Sequence, residues 1–225
     1  MTLSRKQLVA VHRVERGELL DTLERVGPDA PTLCDGWSAT RVASHLVTSE
    51  MHGGAWWVLG WRLRSVLGPA RTSTVLERGQ PMFESAMQRA ERPGWKALLG
   101  RLRRGPPRLF GVPALTRPRL VEDWIHHEDV RRALAAEPRP TSPVLRQALV
   151  EGMELVATLP EFRQARERIR VVLPDGHVLE GDEPALVTVR GEPGEAILAL
   201  AGRAEVADVT VEGTAELLGR HALAF

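Results

Sequence analysis

The residues best suited to chemistry are concentrated in one segment, residues 121–132, with the sequence VEDWIHHEDVRR. Glu122 with His126 and Asp123 with His127 each combine a carboxylate with an imidazole four positions apart. On an α-helix such side chains leave the same face about one turn apart, so either pair could share one cation. The spacing leaves another interpretation open, in which acidic and arginine side chains form ion pairs on a solvated helix face.

A third ligand would have to come from another segment, and His45 is the candidate. In the stretch ATRVASHLVTSE its neighbours Val42, Leu46 and Val47 are apolar, which predicts that the imidazole lies near the core side of its helix. A histidine that faces the middle of a bundle needs a partner, because an unpaired polar group costs free energy in an apolar environment.

Four helices are predicted to position these residues. Apolar side chains at helical spacing place them at about 3–26, 38–67, 74–102 and 119–136. Gly27 and Pro28 end the first helix, and four prolines within 104–118 exclude a continuous helix before the last one. Helices that each carry one apolar stripe and are joined by loops suggest a four-helix bundle.

The character of the sequence changes after a proline-rich linker at 137–143. Further elements are a helix at 142–159, strands at 169–173, 177–179, 185–189 and 207–211, and a short helix at 194–201. We therefore predict an α+β fold with two domains, a helix bundle over 1–140 and a small α+β domain over 141–225.

Composition and charge exclude several classes of protein. Hydrophobic residues make up 43% and charged residues 26% of the chain, which is ordinary globular composition. The 30 basic and 29 acidic side chains leave a net charge of +1, which argues against a nucleic-acid or membrane-surface partner. The N-terminal residues lack a signal-peptide core, and the single cysteine, Cys34, permits no intrachain disulfide. We expect a cytoplasmic protein in which Cys34 is a packed small residue rather than a nucleophile.

Two segments carry a resemblance to a known family. The run PTLCDGWSATRVASHL at 31–46 and the run EDWIHHEDVRR at 122–132 resemble the two signatures of the actinobacterial mycothiol-dependent maleylpyruvate isomerase family. The second signature has the pattern E-x3-H-x2-D, and the family belongs to the DinB-like group of metal-binding four-helix bundles. The C-terminal piece, with VTVRGEPGE at 187–195 and AGR at 201–203, is similar to the small C-terminal domain of that family.

Carried over residue by residue, the resemblance implies that His45, Glu122 and His126 bind a divalent metal, usually zinc. It thereby favours this pair over Asp123 and His127, a choice that the spacing leaves open. Two neutral imidazoles and one carboxylate leave Zn²⁺ with an open coordination position, as in catalytic zinc sites.

Two further residues are candidates for supporting roles. Asp129 lies one turn beyond His126, where its carboxylate could hold a histidine ring or orient a bound thiol; an ion pair with Arg132 is the alternative. Arg203 follows Gly202 at a predicted helix end, where the GR pair resembles the family's pattern. A guanidinium holds carboxylates through two hydrogen bonds, so Arg203 is a candidate for an anionic group of the thiol or substrate; an ordinary surface arginine is the alternative.

The resemblance implies an enzyme whose nucleophile is an exogenous thiol. A thiol that enters the open position loses its proton, because the cation stabilises the thiolate. Mycothiol would then serve as cosubstrate of an isomerase or S-transferase that acts on a small electrophilic molecule. Three alternatives remain: a non-catalytic metal-binding or ligand-sensing protein, a metal-dependent hydrolase, and a mononuclear iron protein, which uses the same ligand types.

Overall fold

The computed structural model describes residues 2–53, 81–105, 115–157, 168–180 and 184–220. Its helices are α1 (Arg5–Val26), α2 (Ala39–Thr48), α3 (residues 81–91), α4 (Trp95–Arg104), α5 (Thr116–Arg132), α6 (Pro143–Ala157), α7 (Pro193–Leu198) and α8 (Glu216–Arg220). Its strands are β1 (Ile169–Val172), β2 (Val178–Glu180), β3 (Val187–Gly191) and β4 (Val209–Gly213). Single π-helical turns follow α2 at Ser49–Gly53 and α7 at Ala199–Arg203. Helices together with a sheet confirm the predicted α+β class.

Local signals in the sequence determine both ends of α1. Ser4 and Gln7 form a capping box: the Ser4 hydroxyl accepts a hydrogen bond from the Gln7 amide, and the Gln7 side chain accepts one from the Ser4 amide. At the other end Gly27 adopts a φ of 84°, a left-handed conformation that favours glycine and ends helices. The predicted helix over 3–26 therefore differs from α1 by two residues at its start.

The single helix predicted over 74–102 is wrong in its continuity. The chain makes a turn at residues 92–94 between α3 and α4, because Pro93 lacks an amide hydrogen for the helical ladder and Gly94 has a φ of 86°. The start of this predicted helix, and the end of the one predicted to reach residue 67, lie outside the described residues. Helix α5 begins three residues before the predicted position and ends four residues before it.

One compact unit consists of residues 1–15, 116–128 and 135–225. Its sheet has the order β2-β1-β3-β4, with β1 and β3 parallel and both outer strands antiparallel to their neighbours. Alternating residues such as Val171 and Val189 are buried. They pack in one apolar cluster with Trp124, Leu149 and Ile197 from α5, α6 and α7.

The other compact unit consists of residues 16–115 and 129–134. Its apolar cluster is built from the second half of α1, α2, α4 and the last turn of α5, with Leu23, Leu46, Leu98 and Val130 all fully buried. No helix in the described ranges is both long and apolar enough to cross a membrane. The division of the chain at residues 140 and 141, and the four-helix bundle in detail, stay predictions.

Candidate metal centre

Helix α5 carries both carboxylate–imidazole pairs that the sequence singled out. Glu122 is half-buried and His126 is 1% exposed, and their ligand atoms lie within 4.8 Å of each other. Trp124, which lies between them in the sequence and on the opposite face of the helix, donates a hydrogen bond from Nε1 to the Gly194 carbonyl over 3.0 Å. These two side chains therefore leave α5 as a pair, one turn apart, on a helix that is anchored at Trp124.

The second pair, Asp123 and His127, is engaged by α1. The His12 Nε2 atom lies 2.9 Å from the Asp123 carboxylate, and the His127 Nδ1 atom lies 2.9 Å from Glu15. Asp123 and Glu15 are both fully buried, where a charged group needs hydrogen-bonded partners. Asp123 and His127, the pair that the resemblance did not favour as ligands, thus each contact a side chain of α1.

Sequence reasoning missed the partners of this second pair. His12 and Glu15 stand three positions apart on α1, which places them on one face of that helix, and this spacing was a usable signal. Arg139, which binds Glu15 and Glu128, gave no signal, because it lies in the segment predicted as a linker.

His45 lies in the last turn of α2 and is 4% exposed. Its ring is flanked by two aromatic rings: the Trp37 centroid is 5.3 Å away at a tilted angle, and the Phe83 centroid is 5.5 Å away edge-on. The loop before α2 holds Trp37, since Thr32 Oγ1 donates a hydrogen bond to the Trp37 carbonyl over 3.0 Å. The His45 imidazole is therefore packed against two aromatic rings, which define its orientation.

Within the described residues, two sets of side chains have the donor atoms that a metal site needs. The first group is His45, Glu122 and His126, and the second is Cys34, His126 and Asp129. Glu122 and His126 place their ligand atoms within 4.8 Å of each other, and so do Cys34 and Asp129. The first group offers two nitrogens and one oxygen, a donor set that suits Zn²⁺. The second offers one sulfur, one nitrogen and one oxygen, which zinc also accepts. The residues present therefore fit a divalent transition metal, while the assignment of the ligands stays a prediction.

Asp129 and Cys34 are joined by a hydrogen bond. The Cys34 thiol donates to Asp129 Oδ2 over 3.0 Å, and the Leu33 amide donates to the Asp129 carbonyl over 3.1 Å. Asp129 is completely buried, and its predicted supporting role beside the ligands stays a prediction, as does the alternative of an ion pair with Arg132. Cys34 is half-buried, and the prediction that it is merely a packed residue omitted this polar contact.

Arg203 closes the π-helical turn that follows α7. Gly202 before it has a φ of 82°, and the guanidinium donates a hydrogen bond from Nη1 to the Ala201 carbonyl in the same turn. The side chain is partly buried. Its predicted role in holding an anion stays a prediction.

Comparison with known proteins gives a likeness in fold. No family model matches the chain, and no curated protein matches it. The crystal structure of a mycothiol-dependent maleylpyruvate isomerase superposes with a TM-score of 0.53 at 16% identity, over 94% of this chain and 95% of that one. A histidine-to-alanine mutant of a mycothiol-dependent maleylpyruvate isomerase superposes over the same shares with a TM-score of 0.54 at 14% identity. At these identities the likeness shows one thing, that the chain has the fold seen in mycothiol-dependent maleylpyruvate isomerase.

Proposed function

We propose that this chain is a divalent-metal-binding enzyme, a mycothiol-dependent isomerase or S-transferase that acts on a small electrophilic molecule. His45, Glu122 and His126 would hold the metal, with Zn²⁺ the expected ion. The observation that carries the proposal is the pair on α5, in which Glu122 and the buried His126 place their ligand atoms within 4.8 Å of each other. His45, a second buried imidazole, would complete the set.

The bound ion would supply one property, a lowered pKa for a thiol that binds beside the three protein ligands. The chain's own residues would do the rest. His45 sits between Trp37 and Phe83, which keeps water from one side of the imidazole and strengthens electrostatic interactions there. Asp129, which is buried and already accepts a hydrogen bond from Cys34, would accept one from a neighbouring imidazole and so orient it.

The thiol in this proposal comes from outside the chain. Cys34 is the single cysteine, and it belongs to the second group rather than the first. The choice of mycothiol is supported by the likeness in fold to enzymes named as mycothiol-dependent. Arg203 would bind an anionic group of the thiol or of the substrate through its guanidinium.

One observation favours a second candidate, a metal-binding protein without catalytic activity. The second group contains a thiol together with an imidazole and a carboxylate, and a protein thiolate would fill a position that a catalytic site keeps open. His126 belongs to both groups, so replacing it cannot tell them apart. Glu122 belongs only to the first, and Cys34 only to the second.

Metal analysis of matched variants tests which group binds. The wild-type protein, Glu122→Gln, Cys34→Ser and His126→Ala would each be loaded with Zn²⁺, desalted and measured by elemental analysis. We expect one zinc per wild-type and per Cys34→Ser chain, and a large loss in Glu122→Gln and His126→Ala. Loss in Cys34→Ser with full occupancy in Glu122→Gln would favour the second candidate.

A thiol titration then tests the enzyme proposal. Co²⁺-loaded Cys34→Ser protein has no thiol of its own, so a sulfur-to-cobalt charge-transfer band can arise only from an added thiol. We expect this band when mycothiol is added, together with consumption of mycothiol in the presence of a suitable electrophile. A metal-loaded protein that shows neither response would contradict the thiol mechanism and leave a metal-dependent hydrolase or a binding protein.

A further inference from the structure

The face of α5 next to the proposed ligands is held by a buried polar cluster. His12 contacts Asp123 and Glu15 contacts His127, each over 2.9 Å. His127 is 2% exposed and Asp123 is fully buried. These two contacts sit one turn apart on α5, in register with Glu122 and His126, and each involves the residue directly after a proposed ligand.

Arg139 connects this cluster to the segment that follows α5. Its guanidinium donates hydrogen bonds to Glu15 and, over 2.8 Å, to Glu128, and it lies over the Trp124 ring with its Cζ atom 4.2 Å from the centroid. Burial alone would lower the pKa of Arg139, but the hydrogen bonds to the two carboxylates outweigh burial and raise that pKa above its ordinary value. The arginine therefore stays charged and joins Glu15 on α1 to Glu128 on α5.

Helical geometry makes this cluster decisive for the choice of ligands. Successive residues on an α-helix are about 100° apart, so a rotation of α5 by one residue would bring Asp123 and His127 to the positions of Glu122 and His126. Both pairs have the same donor types and spacing. The two rotations of α5 therefore differ mainly in whether Asp123 and His127 keep their hydrogen bonds to α1.

We infer that His12, Glu15 and Arg139 are positioning residues that fix the rotation of α5 and thereby direct Glu122 and His126, rather than Asp123 and His127, to the metal. In the other rotation the carboxylates of Glu15 and Glu128 would be buried without their partners, which is costly because a buried charge must be paired and hydrogen-bonded. The inference rests on the proposed metal binding by Glu122 and His126, and it adds a function for residues outside that ligand set.

The test exploits the charge of Arg139. Removing a cation near a metal site should tighten the binding of Zn²⁺ if long-range electrostatics dominates, whereas the loss of a positioning contact should weaken it. We expect Arg139→Met to weaken Zn²⁺ binding about tenfold, the lower end of the effect seen when the partners of metal ligands are removed. The Co²⁺ absorption spectrum should change as well, because the ligands are displaced.

Arg117→Met is the matched control. Arg117 also lies on α5 and also donates to a buried carboxylate, with its Nε and Nη2 atoms 3.0 and 2.7 Å from Glu151, but in the first turn, away from the proposed ligands. It should lower the melting temperature of the metal-free protein without changing the dissociation constant for Zn²⁺ or the Co²⁺ spectrum. Arg139→Lys keeps the charge but loses the forked geometry, so it should also weaken Zn²⁺ binding. This variant provides the test if Arg139→Met does not fold.

Four outcomes are distinguishable. Weaker binding in Arg139→Met or Arg139→Lys with an unchanged Arg117→Met supports the inference. Unchanged or tighter binding in the Arg139 variants overturns it while the proposed function stands. Equal weakening in the Arg139 and Arg117 variants also overturns it, since the effect would then be one of general stability. A wild-type protein that binds no Zn²⁺ overturns both the proposed function and the inference.

Discussion

At the scale of single residues, Glu151 shows how hydrogen-bond donors stabilise a buried carboxylate. Its carboxylate accepts hydrogen bonds from the Leu3 amide over 2.6 Å, from Arg117 and from Gln147. Burial alone would raise the pKa of Glu151, but these donors outweigh it and lower that pKa below the ordinary value of 4.5. Glu151 is therefore charged in the folded protein at neutral pH and ties the N-terminal residues and α5 to α6.

Replacing this carboxylate should change how stability depends on pH. Because the pKa of Glu151 is lower in the folded than in the unfolded chain, its ionised form stabilises the fold above the unfolded pKa, and this contribution disappears as the pH falls through the folded pKa. We expect Glu151→Gln to lower the free energy of unfolding by about 2 kcal/mol at pH 7, and the difference from wild type to shrink below about pH 4.5. Urea unfolding between pH 7 and pH 3 measures it.

Asp175, another carboxylate whose pKa is lowered, serves as the control for Glu151. Asp175 pairs with Arg146 at the surface, and its hydrogen bonds to Arg146 and to the His177 amide lower its pKa. Because water screens an exposed pair, Asp175→Asn should affect stability less than Glu151→Gln. A Glu151→Gln protein with the same pH dependence as wild type would contradict the role given to this carboxylate.

Among the elements, α5 and α7 meet at a point that permits only glycine. The Trp124 ring lies against the backbone of Gly194, and a Cβ atom there would be 2.3 Å from Trp124 Cζ2. Pro193 begins α7, so the backbone at this helix start has little freedom to move away. The hydrogen bond from the Trp124 indole to the Gly194 carbonyl depends on this close approach.

Gly194→Ala should therefore destabilise the protein. Either the Trp124 ring or the start of α7 must shift, and overpacking of this kind costs about 1–3 kcal/mol. Gly17→Ala is the control: it lies inside α1 with no atom within 4 Å of an added Cβ, and alanine should stabilise the helix there by up to about 1 kcal/mol. Thermal unfolding of both variants measures the difference. Equal effects of the two substitutions would show that the contact with Trp124 does not matter.

The elements also show which features a sequence can predict. Helix α1 and the strands follow from local signals, namely Ser4, Gly27 and the alternation of apolar residues. The break at Pro93 and Gly94 had a local signal as well, but the apolar spacing on both sides concealed it. The partners of Asp123 and His127 come from residues over a hundred positions away in α1, and only tertiary packing brings them to α5. For the same reason the hydrogen bond between Cys34 and Asp129 could not be predicted from either segment.

For the molecule as a whole, metal binding should increase the free energy of unfolding. An ion that binds the folded chain and not the unfolded one adds a free energy that depends on its concentration, about 2.7 kcal/mol at 100 times the dissociation constant. In a domain of this size each kcal/mol raises the melting temperature by about 2–4 °C. Saturating Zn²⁺ should therefore raise the melting temperature of this 225-residue chain by roughly 5–10 °C, and a chelator should reverse the increase.

Variants assign this stabilisation to particular side chains. His126 belongs to both ligand groups, so His126→Ala should abolish the shift whichever group binds the ion. Glu122→Gln should abolish it, and Cys34→Ser should keep it, if His45, Glu122 and His126 are the ligands. The size of the shift should grow with the logarithm of the Zn²⁺ concentration above the dissociation constant, which separates specific binding from a general effect of salt. A shift of the same size in His126→Ala would mean that the ion stabilises the chain at some other place.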